Sequence, residues 1–132
     1  MTTTCEPAGL SFATYDIRDL VYGESWSLPM TYRIEGVPVD LTGKRLYGQF
    51  RAGLSRISDL LIELDSDADT VNVTDAAGGK FTLQFSALQA EVFVTAKGGW
   101  DLWLLEGPSR DLLIKGTWES RESITDWETF PP

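Results

Sequence analysis

The sequence predicts an all-β protein, an antiparallel sandwich of about seven to eight short strands with one short helical turn. Three observations carry this. Apolar residues recur with period two, as in Trp26, Leu28, Met30, Tyr32 and Ile34, with mostly polar residues between them; that is how a strand reads when one face is buried and the other wet. Turn-forming clusters such as Glu35-Gly36-Val37-Pro38 and Glu106-Gly107-Pro108-Ser109 punctuate these runs, at roughly the 8–12-residue spacing of sandwich strands. The third is size. A chain of 132 residues and 14.7 kDa suffices for one core and is too small for two, since folding buries about two-thirds of its extended surface.

Taken in order, residues 12–20 read as a first strand, followed by the strand from Trp26, in which Pro29 lacks a ladder donor and belongs at an edge or bulge. Residues 45–51 place Leu46, Gly48 and Phe50 on one side and Arg45, Tyr47, Gln49 and Arg51 on the other, before a loop at 53–58. Leu60, Ile62 and Leu64 give a short strand that stops at Asp65-Ser66-Asp67-Ala68-Asp69. Val71 and Val73 mark a brief strand, and after the 75–79 turn Phe81, Leu83 and Phe85 alternate with polar residues. Ser86 and Gln89 stand at capping-box spacing, so residues 87–92 read as the helical turn, crossing between strands. Gly98-Gly99 is expected to release the strand Trp100 to Leu105, and Leu112, Ile114, Gly116 and Trp118 form the last long strand. The expected organisation is an N-terminal arm (1–9), the sandwich (10–125) and a C-terminal docking tail (126–132).

Composition narrows the chemistry. Hydrophobic residues make up 42% and charged residues 23%, which is globular and argues against disorder. Lys plus Arg is 11 and Asp plus Glu is 20, a net charge of −9, so the chain repels phosphate backbones and no nucleic-acid partner is expected. It contains no histidine, which removes the usual general base and the commonest metal ligand. A lone cysteine, Cys5, forms neither an intramolecular disulfide nor a zinc site. Residues 1–5 lack a charged and apolar leader pattern, and no apolar run reaches the ~18 residues of a membrane span. A cytoplasmic, membrane-free, non-catalytic protein without cofactor or metal is the expectation.

The remaining signals are weaker and have ordinary structural explanations beside the functional ones. Asp65-x-Asp67-x-Asp69 has calcium-like spacing, but Thr70 and Ala76 stand where an EF-type loop has glycine and glutamate; a solvated acidic turn is favoured. Glu63, Asp101 and Glu119 are candidate paired carboxylates for glycoside hydrolysis, each already explained as the polar position of a strand. Five tryptophans invite a carbohydrate-binding reading. Trp26, Trp100 and Trp118 share strand registers with Leu, Ile or Phe and are expected in the core. Burial of those three counts against a sugar platform, whereas an exposed planar pair supports one. Trp103 has the opposite parity from Trp100 and shares it with Leu105, so its face is expected to be covered by a partner. Trp127 and Phe130 lie in the tail, where two large aromatics read as docking anchors. Trp103, Trp127 and Phe130 are therefore the candidate partner-binding residues. Removing 126–132 is expected to leave the sandwich folded and weaken assembly.

Gly23-Glu24-Ser25-Trp26-Ser27-Leu28, Gly36-Val37-Pro38-Val39-Asp40-Leu41-Thr42-Gly43 and Gly48-Gln49-Phe50-Arg51 resemble the N-terminal immunoglobulin-like domain of the baseplate upper proteins of siphophages. Gly79-Lys80-Phe81-Thr82-Leu83, Trp100-Asp101-Leu102, Gly116-Thr117-Trp118-Glu119 and Ile124-Thr125 extend the resemblance over nearly the whole chain, about 12–126. It implies an immunoglobulin-like antiparallel β-sandwich in a structural virion protein, made in the host bacterial cytoplasm. Its partners would be tail, baseplate or neck proteins of the phage, or further copies of itself. The family has no catalytic residues to carry over. It usually has tyrosine at the position of Trp100 and usually continues into fibre or receptor-binding modules, so a small connector is implied here. A carbohydrate-binding module is the alternative.

Overall fold

The computed structural model describes residues 3–5, 12–94, 97–126 and 128. Among them the strands run β1 (Thr3–Cys5), β2 (Ala13–Thr14), β3 (Ile17–Val21), β4 (Trp26–Ile34), β5 (Val37–Pro38) and β6 (Arg45–Arg51). After these come β7 (Leu60–Asp65), β8 (Val71–Asp75), β9 (Lys80–Phe85), a 3-10 turn (Gln89–Val92), β10 (Lys97–Glu106) and β11 (Ser109–Arg121). One sheet has the order β1-β4-β9-β8, with β5 on β4, and the other β2-β11-β10-β6-β7, with β3 on β11. The two sheets form a sandwich. Eight of the strands have five or more residues, as the turn spacing predicts.

The core lies between the sheets and is dominated by rings. Phe50 of β6 stacks on Trp100 of β10 at 5.6 Å and meets Phe85 of β9 edge-on at 5.1 Å, while Trp26 of β4 stacks on Phe85 at 5.0 Å. Phe93, delivered by the 3-10 turn, closes the cluster against Trp118 of β11 at 5.0 Å. That turn is held by the reciprocal bonds its sequence predicts. Gln89 N donates to Ser86 Oγ (3.1 Å), and Ser86 N donates to Gln89 Oε1 (2.8 Å).

Gly98 and Gly99 are not the expected strand release; both lie inside β10. Gly98 is paired with Trp118, and Trp100 with Gly116, across the β10–β11 ladder. Each indole occupies the space above the glycine opposite: a Cβ on Gly98 would meet Trp118 Nε1 at 2.6 Å, and one on Gly116 would meet Trp100 Nε1 at 3.2 Å. The indoles pass over to carbonyls of the flanking segments. Trp118 Nε1 donates to Arg51 O (2.8 Å) and Trp100 Nε1 to Tyr15 O (3.0 Å). Buried indole N–H groups need such acceptors.

Three further expectations are corrected. The first strand is interrupted at Tyr15-Asp16: Tyr15 turns its carbonyl to Trp100, and the Asp16 carboxylate takes Thr117 N (3.0 Å) and Thr117 Oγ1 (2.8 Å). Its two halves pair with β11 in parallel, and β1 pairs with β4 in parallel, so the antiparallel sandwich has parallel additions from its N-terminal segments. In β11 a bulge opposite Leu102/Trp103 buries Leu113 and Ile114 in succession, which puts Leu112 outside rather than in the core. Ile34, read as the end of the buried face of β4, is 49% exposed at the hairpin tip, where Glu35 and Gly36 take positive φ.

The Gly116–Trp100 contact generates a test. A methyl at Gly116 would meet Tyr15 O at 1.8 Å, so Gly116→Ala must displace the β2–β3 junction. Trp100→Phe only leaves Tyr15 O unpaired, at about 1–3 kcal/mol. Chemical denaturation is expected to show Gly116→Ala as the more damaging of the two; equal or smaller damage would show that the junction yields freely.

Candidate functional site: the outer face of the larger sheet

Alternation along β10 buries Gly98, Trp100, Leu102 and Leu104 and turns Gly99, Asp101, Trp103 and Leu105 outward. Trp103 is half-buried on that outer face, between its cross-strand partners Tyr47 on β6 and Leu112 on β11. Its indole does not belong to the core cluster. Beside it an open groove of about 880 Å³ is floored by Gly99 and Gly116 and walled by Phe12, Leu54, Arg51 and Lys115. Leu54, 77% exposed, and Ile57, 82% exposed, come from the 52–59 loop, which folds toward β10 as Gly99 N donates to Gly53 O (3.2 Å).

A relay of side chains fixes one wall. Tyr47 Oη donates to Glu63 Oε2 (2.5 Å), and Gln49 Nε2 donates to Tyr47 Oη (3.1 Å). Arg51 Nε and Nη2 donate to Gln49 Oε1 (3.0 and 2.7 Å), and Arg51 Nη1 donates to Ser58 O (2.5 Å) in the loop. Burial first, and then the bond to the Glu63 carboxylate, pushes the Tyr47 hydroxyl above its ordinary value, so it remains a donor.

The aspartate run at the other end of β6 is organised around a cation of the protein itself. Arg45 Nε donates to Asp65 Oδ1 (2.9 Å) and Nη2 to Asp65 Oδ2 (2.5 Å), with Asp67 Oδ2 3.3 Å from Nε. Asp67 N closes onto Asp65 Oδ1 (3.0 Å), and Thr70 clips the turn by accepting from Asp65 N and donating to Glu63 O, both at 3.0 Å. The side chain of Thr70, where an EF-type loop has glycine, is thus a structural part of the turn.

The candidate residues divide clearly. Trp103 lies on the outer face, in the groove; Trp127 and Phe130 lie outside the described residues. Trp26, Trp100 and Trp118 are buried at 9%, 3% and 0% exposure, so among the described residues no pair of exposed tryptophans offers a sugar platform. Glu63 and Asp101 are on the outer face but flank Gln49, one strand to either side. Leu112 was missed because a bulge shifts parity without a mark in the apolar pattern. Lys115, paired with Asp101, was legible as a polar position but not as a groove residue, because its setting depends on the 52–59 loop. Among the described residues no helix is long and apolar enough to cross a membrane.

Comparison with known proteins gives a fold. No family model matches the chain, and no curated protein matches it. Among solved structures it is similar to the N-terminal domain of phage TP901-1 ORF48, with a TM-score of 0.54 and 12% identity, over 92% of this chain and 99% of that one.

The Asp65–Arg45 pair sets an acid response. Hydrogen bonding from Arg45 holds the Asp65 carboxyl below its usual 3.8. A depressed folded value means stability that is present above 3.8 and is lost as pH falls through the folded value. Asp16 shifts the same way, chiefly through the Thr117 amide. Melting temperature is therefore expected to drop below about pH 4, with a shallower drop for Asp65→Asn. Identical slopes would show that the pair is solvent-screened to nothing.

Proposed function

We propose that this protein is a structural virion protein of a tailed bacteriophage, a small connector in the tail, baseplate or neck. It docks other virion proteins through the outer face of the larger sheet. The observation that carries the reading is the likeness of fold to the phage domain over nearly the full length of both chains, together with the ordered series of turn and strand residues from Gly23 to Thr125. The outer face supports it: a half-buried indole, Leu105 and Leu112 lie where an isolated sheet would present polar side chains, and the exposed Leu54 of the 52–59 loop stands beside them in the groove. A chain without histidine suits a role in recognition rather than proton transfer.

The test is incorporation into particles. Purified virions are expected to contain the chain at a fixed stoichiometry by mass spectrometry. Trp103→Ala should leave the melting transition nearly unchanged, because the indole lies outside the core, yet reduce incorporation at least tenfold. Absence of the chain from particles would overturn the virion assignment, and full incorporation of Trp103→Ala would remove the docking role of this face.

A further inference from the structure

We propose that the outer face around Trp103 is a self-complementary surface that binds a second copy of the same chain. The inference deepens the docking reading of this face by naming its occupant, and rests on that reading. Two charged side chains at its centre carry it. Asp101 and Lys115 are direct cross-strand partners on β10 and β11, both turned outward into the groove. Neither side chain makes a hydrogen bond or ion pair with any described residue. Of the other charged residues that line the groove, Arg51 is engaged by Gln49 and Ser58 and Asp16 by Thr117, while Arg56 comes from the 52–59 loop rather than from the two central strands. Among the described residues, a side-chain anion without an ion-pair partner thus stands beside such a cation on the two central strands. At the next outward level of the same two strands, the indole of Trp103 stands beside Leu112.

Symmetry converts this into a specific partner. A two-fold axis lying in the interface, parallel to the strands and midway between β10 and β11, exchanges the two strands between copies. It sets Asp101 of each copy against Lys115 of the other, and Trp103 against Leu112. An isologous contact needs a patch that matches itself in this way. Sheets packed face to face at about 10 Å, with strands nearly aligned, are the same geometry that builds the sandwich itself. A different partner would have to supply both charges at the same spacing; a second copy has them by construction.

Charge exchange tests the proposal. Full-length protein is measured by sedimentation velocity across a concentration series at about 0.15 M salt, where the repulsion between two acidic chains is screened beyond ~8 Å. The wild type is expected to reach twice the 14.7 kDa monomer mass. Asp101→Lys and Lys115→Asp are each expected to weaken the dimer at least tenfold, since each places like charges opposite at two equivalent contacts. An equimolar mixture of the two variants should recover the affinity, because every contact in the mixed dimer again joins opposite charges. Circular dichroism checks that both variants fold. If either does not, Asp101→Asn and Lys115→Gln replace them; each should weaken the dimer, and their mixture should recover part of the affinity, because the mixed dimer regains one of the two Asp101–Lys115 contacts and each homodimer has none. A wild type that stays monomeric, or a charge-reversed mixture no tighter than its components, overturns the proposal. A monomeric wild type whose Trp103→Ala variant is still lost from particles overturns the second copy alone and leaves the docking face standing. A dimer absent from virions does the reverse.

Discussion

The larger sheet depends on two indoles that each cross a glycine to reach a carbonyl. Trp100 lies over Gly116 and donates to Tyr15 O, and Trp118 lies over Gly98 and donates to Arg51 O. The pairs are reciprocal on β10 and β11, so one ladder supplies both the bulky rings and the gaps that admit them. The bonds tie β11 and β10 to the segments on either side. Trp100 stacks on Phe50, its cross-strand neighbour on β6, and Trp118 packs on Phe93 from the 3-10 turn, so the same residues that fix the sheet also fill the sandwich. An unpaired indole N–H or carbonyl in this setting would cost about 1–3 kcal/mol, a large share of the margin of a small domain.

Much of this was legible in the sequence. Period two gave the strands, and the bounds of β6 coincide with the expected 45–51. Asp40-Leu41-Thr42-Gly43 closes the Asx turn its residues imply, with Thr42 N donating to Asp40 Oδ1 (2.9 Å) and Gly43 at φ 74°. The parity of Trp103 against Trp100 was enough to separate a core ring from a surface ring. Other features depend on contacts between distant segments, and no local pattern carries them. Gly98-Gly99 looks like a loop until Trp118, far along the chain, is seen to need the space. The break at Tyr15-Asp16 follows from bonds to Trp100 and Thr117. The bulge at Leu113 adds a residue to an apolar run that stays apolar on either parity.

The acidic turn shows how a sequence motif and its surroundings can point to different chemistry. Three aspartates at alternate positions attract attention as cation ligands, and they do attract a cation: the guanidinium of Arg45, 20 residues before Asp65 in the chain but brought beside it by the β6–β7 pairing. Asp65 spends both oxygens there, and its fork-like bond with Arg45 is the geometry in which arginine surpasses lysine.

The relay from Glu63 through Tyr47, Gln49 and Arg51 to Ser58 has a consequence for the speed and selectivity of docking. Its members are long side chains that ordinarily sample several rotamers, and association normally loses that freedom at about 0.5–1.5 kcal/mol for each one immobilised. Here the loss is incurred on folding, in bonds that need no partner. The groove wall is therefore shaped before any encounter, so a matching surface meets a finished template, and a mismatched one finds few side chains free to adapt to it.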